Sequence, residues 1–514
     1  MMSLPFENEI FVDPIVIPEK FAPNIVAVHI PANLNIQEIV QVHPLYNCPS
    51  FKIEKLYYFL SYLYNNFIAL DSETFVHPKL KELNRPFFIP IHSSILKNIF
   101  GNEYLDYIHF LRDEGVIIMF PCALENERSN SFRFTDKYLY CKTSQRLPLY
   151  DFILSTKIAS NHIKNSRRKL AHHLSLEKRI MSKGLKLDLN YAAYLNEAHQ
   201  AQSYRDIEDL RGVAYAESLQ KIENRHLFIS RLIENLASNR YYYTINGDHY
   251  RHYSTVTSSP KILRAAYNWH NEELVEVDLK NSQFLMSTML LKKSTWTDAS
   301  KDKVLRKIWE GISCKDNHVD KKEYRTIMRL IDKIALQYKS ELPYIQLTLN
   351  GELYEDLIND LIDAGHIEEG LPPDQQRGIA KDLMIRSLFA KTNTSYHKRY
   401  NSVWSIMKRR HPEAVEIFEF IKSYEHLDMA RLLQRIESIF VIDTVCKRLN
   451  EDYPKIPIFT LHDCIVTTVG NEALVDQIIK EEMEKSFGFK GKTKVQPWET
   501  IVPPIFDFSL VKAA

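Results

Sequence analysis

Two short segments place an aspartate where an apolar strand is expected to end. In LVEVDLKNSQFLMSTML, Val275 and Val277 alternate with polar residues up to Asp278, and the apolar residues then take helical spacing. In PKIPIFTLHDCIVTTVG, His462 and Asp463 interrupt two apolar runs, which is costly unless the pair is used or well hydrogen-bonded. A strand fixes a carboxylate and the turn after it exposes the oxygens, so both aspartates suit a hard divalent cation.

A third segment, LPPDQQRGIAKDLMIRSLFAKTN, lies between these two in the chain and carries cations. We expect a helix here, with Asp374 as its cap. The residues at steps of four are Arg377, Lys381, Ile385 and Phe389. Four-residue steps drift slowly around a helix, so this row shares one face and presents two cations followed by an apolar and an aromatic side chain.

The three segments together suit phosphoryl transfer to a 3′-hydroxyl. That reaction uses two Mg²⁺ ions about 3.5–4 Å apart, which two aspartates on adjacent strands can bridge. A helix that carries an arginine and a lysine can neutralise a triphosphate, and the lysine can protonate the leaving pyrophosphate.

In chain order, the segments resemble motifs A, B and C of the family A DNA polymerases and their relatives, the phage-type single-subunit RNA polymerases. Motif A is represented by Asp278 with Ser282 and Gln283, motif B by Arg377, Lys381 and Phe389, and motif C by Leu461, His462 and Asp463. Upstream, RHYSTVTSSPKILR (Arg251 to Arg264) resembles the segment that contacts the template and primer backbone in this group. NGELYEDL stands where the family has a G-D-x-[HY] stretch.

The resemblance implies a role for each matching residue. Asp278 and Asp463 would hold two Mg²⁺ ions, for which Mn²⁺ is an expected substitute, with help from the Leu279 carbonyl. Arg377 and Lys381 would hold the triphosphate with Lys381 as general acid, Phe389 would stack by the nascent base pair, and Gln283 would gate the sugar. Arg251 and Arg264 would steady the primer-template, and His462 would orient the primer terminus.

The choice of nucleotide rests on three positions that disagree. Gln283 is as bulky as the glutamate that blocks a ribose 2′-hydroxyl in the DNA polymerases, and Phe389 lacks the hydroxyl that ribonucleotide-selecting relatives use. Both favour deoxynucleotides, whereas Cys464, after the motif C aspartate, is typical of the RNA polymerases. The expectation is a DNA polymerase on a DNA primer-template, with RNA as an alternative template. The open alternatives are a primer-independent RNA polymerase and a non-catalytic winged-helix replication initiator with a decayed palm.

The resemblance implies an α+β fold of the right-hand polymerase type. We expect an N-terminal arm and winged-helix-like domain at 1–148, a helical thumb-like region at 149–245, and a palm at 246–514 with fingers inserted at about 295–425.

Asp71 and Glu73 form a D-x-E-T stretch like that of a proofreading exonuclease. No convincing partner carboxylates follow it, so no proofreading is expected.

Composition limits which partners and binding motifs the chain can have. The 514 residues carry a net charge of +1, which neither supports nor excludes a nucleic-acid partner. There is no apolar run near the length of a membrane span, no zinc spacing among the 6 cysteines, and no glycine-rich phosphate loop. We therefore expect a cytoplasmic enzyme without a membrane partner and, by analogy with compact replicases, one of phage or plasmid type.

Overall fold

The chain mixes helices with antiparallel sheets, in keeping with the expected α+β class. The computed structural model describes residues 26–41, 43, 51–68, 88–120, 129–139, 141, 144–151, 154, 169–182, 184–237, 241, 243–247, 249–291, 329, 332–333, 342–391, 398–422 and 426–501. None of the helices in these ranges has the length and hydropathy needed to cross a bilayer. Asp71 and Glu73 of the exonuclease-like stretch lie outside the described residues.

The N-terminal region combines short strands with helices around an aromatic core. Its strands are β1 (Val26–Pro31), β2 (Ile89–His92), β3 (Ile117–Phe120), β4 (Ser129–Phe134) and β5 (Ser144–Leu149). Its helices are α1 (Ile36–Gln41), α2 (Ile53–Ile68), α3 (Ser93–Phe100), α4 (Tyr104–Asp113) and α5 (Asp136–Leu139). Strands β2, β4 and β3 form an antiparallel sheet in that order, and β1 pairs with β5. The Phe59 ring packs against Phe100 and Phe132, with centroids 5.4 and 6.0 Å away.

Three helices follow, and the last of them contacts the N-terminal region. They are α6 (Ala171–Met181), α7 (Leu189–Arg205) and α8 (Gly212–Ala237). Helices α7 and α8 pack side by side, and Arg231 of α8 donates to the Asn65 side chain of α2 over 2.7 Å. The guanidinium also lies over the Tyr64 ring, 4.3 Å from its centroid. The N-terminal region is therefore joined to the helical pair through a buried cation.

The main sheet is built around one central strand. Its strands are β6 (Leu185–Leu187), β9 (Tyr267–Trp269), β10 (Glu272–Leu279), β11 (Phe459–Leu461), β12 (Cys464–Thr468) and β13 (Thr493–Pro497), and a separate hairpin is formed by β7 (Tyr243–Ile245) and β8 (His252–Ser254). The order is β11-β12-β10-β9-β6, and β13 pairs with the other edge of β10. Because β10 has partners on both edges up to Asp278, its end cannot shift without breaking ladder hydrogen bonds.

Helices cover the sheet and extend beyond it. They are α9 (Ser282–Thr288), α10 (Pro343–Asn350), α11 (Leu353–Asp356), α12 (Ile358–Asp363), α13 (Pro373–Phe389), α14 (Lys398–Arg410), α15 (Pro412–Lys422), α16 (His426–Ser438), α17 (Lys447–Asp452) and α18 (Glu472–Phe487). Short 3₁₀ turns occupy Lys261–Ala266, Met289–Leu291 and Trp498–Ile501.

The expected helix of the third segment is α13, but Asp374 does not cap it. The helix begins at Pro373, and its N-cap Pro372 has no side chain that can accept a hydrogen bond.

Between α16 and α17 the backbone winds as a π-helix over Ile439–Cys446. The Thr444 hydroxyl donates to the carbonyl of Ile439, five residues earlier, over 3.2 Å. A π segment holds more residues per turn than an α-helix and therefore shifts the faces of the helices on either side of it. In this chain one buried carboxylate, Glu437, lies just before the segment, and another, Asp443, lies within it.

Candidate active site

Asp278 and Asp463 lie at the ends of neighbouring strands, as the apolar patterns predict. Asp278 is the penultimate residue of β10, and Asp463 lies in the two-residue turn between β11 and β12. The ladder pairs Asp278 with Cys464 on one side and with Lys494 on the other. Directly paired residues in an antiparallel sheet project to the same face, so Lys494 shares a face with the Asp278 carboxylate. We call Asp278 and Asp463 the carboxylate site.

The two carboxylates repel each other in the absence of a cation. Burial raises the pKa of Asp278 to about 7, with added contributions from the negative charges of Asp463 and Glu276. The positive charges of Lys381 and Lys494 act in the opposite direction. Two carboxylates this close are a favourable ligand pair for divalent cations, because a bound cation removes the repulsion and oxygen is the ligand that Mg²⁺ prefers. Leu279, whose carbonyl is the expected helper, is the last residue of β10.

His462 occupies a strained backbone position beside this pair. Its φ is 57°, in the left-handed region that favours glycine, and its ring lies 5.7 Å from that of Tyr253. Burial lowers the pKa of His462 to about 4, helped by the positive charges of Arg251 and His249 and opposed by Asp463. The imidazole is therefore neutral at physiological pH and acts through hydrogen bonding or packing rather than charge.

A buried glutamate that sequence reasoning missed lies behind the carboxylate site. The side chain of Glu437 is 1% exposed, and its Oε1 accepts from Arg251 Nε at 2.9 Å and Nη2 at 2.7 Å. The other oxygen accepts from the amide of Gln283, in the first turn of α9. Burial raises the pKa of Glu437 to about 7; Arg251 opposes this shift and the Asp463 charge adds to it. Between Ile436 and Cys446 the only acidic residues are Glu437 and Asp443. An acidic residue within a mainly apolar stretch was the feature of the sequence that could have indicated a functional Glu437.

Helix α13 directs its cationic face toward the carboxylate site. Lys381 is exposed and unpaired in the described structure, and its charge acts on Asp278. Arg377 donates to Glu355 over 2.5 Å and lies over the Tyr354 ring, 5.3 Å from its centroid. Burial raises the pKa of Tyr354; the positive charge of Arg377 opposes this shift and the negative charge of Asp463 adds to it. Phe389, the last residue of α13, packs against the core.

Arg264 is engaged by the sheet. Its Nη1 lies 2.7 Å from Oε2 of Glu276, and the same oxygen accepts from the indole of Trp498 over 2.8 Å. The expected contact of Arg264 with a nucleic-acid backbone would therefore have to compete with a partly buried ion pair.

One group of three potential metal ligands, His172, His173 and Asp443, lies elsewhere among the described residues. Nε2 of each histidine lies within hydrogen-bond distance of Asp443 Oδ1, at 2.9 and 2.6 Å. Nδ1 of His173 accepts from the Leu170 amide over 3.0 Å, so the ring proton is on Nε2 and points to Asp443. A metal would need the lone pair that this proton occupies. We therefore interpret the group as a structural hydrogen-bond network.

The sequence matches no known family model and shows no significant similarity to any curated protein.

Proposed function

We propose that this chain is a template-directed nucleotidyltransferase, a DNA polymerase that extends a primer 3′-hydroxyl with two metal ions. The observation that carries the proposal is the convergence of Asp278 and Asp463 at neighbouring strand ends, facing Lys381 of α13. Those residues are far apart in the sequence, and their types suit metal binding and triphosphate neutralisation. The resemblance to the family A and phage-type polymerases supports the same proposal.

The carboxylate site would hold two Mg²⁺ ions, which supply activation of the 3′-hydroxyl and charge stabilisation at the pyrophosphate. Lys381 is exposed and has no ion-pair partner in the described structure, and its charge acts on Asp278, so its ammonium is available to protonate the leaving group. Arg377 reaches the triphosphate by exchanging Glu355 for a phosphate oxygen. Phe389 offers a ring to the nascent base pair at the end of α13.

The remaining residues of the proposed site position the primer and the sugar. Arg251 is fixed beside His462, where the two would hold the primer terminus, and Arg264 contributes a second cation upstream. Gln283 lies five residues after Asp278, next to the sugar of a nucleotide whose α-phosphate is at the carboxylate site. Its bulk would exclude a 2′-hydroxyl and favour deoxynucleotides.

The proposed architecture is a right hand. The main sheet would be the palm, α13 and its neighbours part of the fingers, and the α7–α8 pair the thumb. The β2-α3-α4-β3-β4 order, with β4 between β2 and β3, supports a winged-helix-like domain at the N-terminus. We propose a cytoplasmic replicase of phage or plasmid type without proofreading.

One assay tests the activity. Labelled primer-template and unprimed template are each incubated with dNTPs or NTPs and Mg²⁺, using wild type, Asp463→Asn and the surface control Asp452→Asn. We expect dNTP extension of the primer by wild type and the control, and a loss of about 10³-fold or more in Asp463→Asn, as for removal of a group that acts in the transition state. Products from unprimed template with NTPs would indicate an RNA polymerase. No incorporation by wild type would contradict catalysis and favour the initiator alternative.

A further inference from the structure

We propose that Glu437 is a specificity-determining positioning residue, which fixes the Gln283 side chain in the place where it excludes a nucleotide 2′-hydroxyl. The inference rests on the proposed polymerase function and deepens it. It assigns the preference for deoxynucleotides to a pair of residues, only one of which is next to the sugar.

The geometry connects three elements through one carboxylate. Glu437 of α16 accepts the Gln283 amide of α9 on one oxygen and two guanidinium hydrogen bonds of Arg251 on the other. Gln283 is 9% exposed, so Glu437 lies deeper in the protein than the residue it orients. The Arg251 side chain is 18% exposed, against 1% for that of Glu437.

The position of Gln283 relative to the carboxylate site follows from the chain. Asp278 is the penultimate residue of the central strand, and Gln283 lies in the first turn of the next helix. The charge of Asp463 acts on Glu437, so the Gln283–Glu437 pair is beside the carboxylates. In the proposed function, an incoming nucleotide whose α-phosphate is bound at the carboxylate site has its sugar beside Gln283.

A steric gate excludes a hydroxyl only if it cannot turn aside. Glutamine has three rotatable side-chain bonds and adopts many rotamers when nothing holds its amide. Glu437 accepts a hydrogen bond from the Gln283 amide, so it selects the rotamer in which the amide faces α16. Without that bond, Gln283 could rotate and make room for a ribose.

Stability alone does not explain a carboxylate at position 437. Buried ion pairs are often no more stabilising than well-packed apolar residues, because the charges lose their hydration. The neighbours Ile436, Ile439 and Phe440 show that this stretch of helix readily accepts apolar side chains. The carboxylate is better explained by the two side chains that it orients.

The test compares the catalytic efficiencies for a dNTP and for the NTP of the same base, on one primer-template. We expect Glu437→Ala to lower the dNTP/NTP ratio about fivefold or more, the size of a lost hydrogen bond. Glu437→Gln keeps the shape and one acceptor oxygen and should lie between wild type and Glu437→Ala. If the alanine variant does not fold, Glu437→Gln against wild type decides the outcome.

A double variant separates orientation from general damage. Gln283→Ala should lower the ratio in the same way, and adding Glu437→Ala to it should change the ratio no further, because the residue that Glu437 positions is gone. Glu482→Gln is the matched control. Glu482 is also a buried carboxylate, 2.8 Å from Arg448, and its loss should leave the ratio unchanged.

The inference is overturned if Glu437→Ala lowers dNTP and NTP incorporation in parallel, or if its effect on the ratio persists in the Gln283→Ala background. It is also overturned if wild type uses NTPs as efficiently as dNTPs. In each of these cases primer extension is still observed. Failure of the proposed polymerase function is different, since wild type would then extend no primer with either nucleotide.

Discussion

The main-chain amide of Leu279 donates a hydrogen bond to the carbonyl oxygen of Asp463, with an N···O distance of 3.4 Å. This contact ties the turn between β11 and β12 to the end of β10. The relative position of the two aspartate backbones is thus fixed by main-chain hydrogen bonds. Substitutions in the carboxylate site should therefore change its charge without changing its shape.

Asp278→Asn should stabilise the metal-free protein, and the gain should grow with pH between about 4 and 7. The pKa of Asp278 is about 7 in the folded protein against an ordinary 3.8, so folding favours the protonated form. As the pH rises through this window, wild type progressively loses stability that the uncharged asparagine keeps. Above pH 7 the difference should be constant.

Urea unfolding in EDTA at pH 5 and pH 8 measures this difference, with Asp452→Asn as the surface control. An equal gain at both values would show that Asp278 does not titrate in this range. Adding Mg²⁺ at pH 8 should stabilise wild type and have little effect on Asp278→Asn, because the variant lacks half of the carboxylate site.

His462→Gly should be more stable than His462→Ala by about 1 kcal/mol, since the position has φ of 57° and only glycine adopts that region without a steric cost. Both variants lose the imidazole, so both should extend primers less efficiently than wild type. Thermal unfolding of the pair, measured beside primer-extension rates, separates backbone strain from side-chain function. Equal stabilities would mean that the turn relaxes when the ring is removed.

Glu355→Gln should lower the apparent KM for the incoming nucleotide about two- to fivefold and leave kcat nearly unchanged. The Arg377–Glu355 pair is partly exposed, with side chains 34% and 42% accessible, so breaking it costs at most about 1 kcal/mol. Glu355 competes with the triphosphate for the Arg377 guanidinium, and its loss favours the nucleotide. Steady-state kinetics test this, with Asp382→Asn on α13 as the control because it releases Arg386 instead. A raised KM would mean that Glu355 orients Arg377 for binding.

Asp443→Leu should destabilise the protein by about 2–5 kcal/mol, because it leaves two buried imidazole N–H groups without their acceptor. Asp443→Asn retains an acceptor oxygen and should cost less. Neither Zn²⁺ nor EDTA should shift the unfolding midpoint of wild type through this group. A midpoint that rises with Zn²⁺ in wild type but not in Asp443→Asn would contradict the hydrogen-bond interpretation.

Local sequence patterns predicted the parts of the site that lie within a single strand, turn or helix. The alternation before Asp278, the interrupted apolar run at Asp463 and the four-residue steps from Arg377 identified β10, the β11–β12 turn and α13. The contact of Glu437 with Gln283 could not be found in this way, because the two residues are 154 positions apart along the chain. Nothing local to either residue indicates that partner.

The same limit applies to the two arginines upstream of β10. As sequence, Arg251 and Arg264 are cations beside a polymerase-like motif, which suggests free charge for a nucleic-acid backbone. In the structure each has a carboxylate partner, Glu437 and Glu276 respectively. Charge patterns show where cations are but not whether the fold has already neutralised them. The α13 cap failed for a simpler reason, since the helix begins one residue before Asp374.

The π segment at Ile439–Cys446 makes chain length, and not only residue type, important in this part of the protein. Glu437 lies just before it and Asp443 within it, and each must face a different set of buried partners. Deleting one residue there would restore an α-helix and rotate one flank by about 100° relative to the other. Either Glu437 would leave Gln283, or Asp443 would leave the histidines. The helical phase of this segment therefore constrains insertions and deletions even where single substitutions are tolerated.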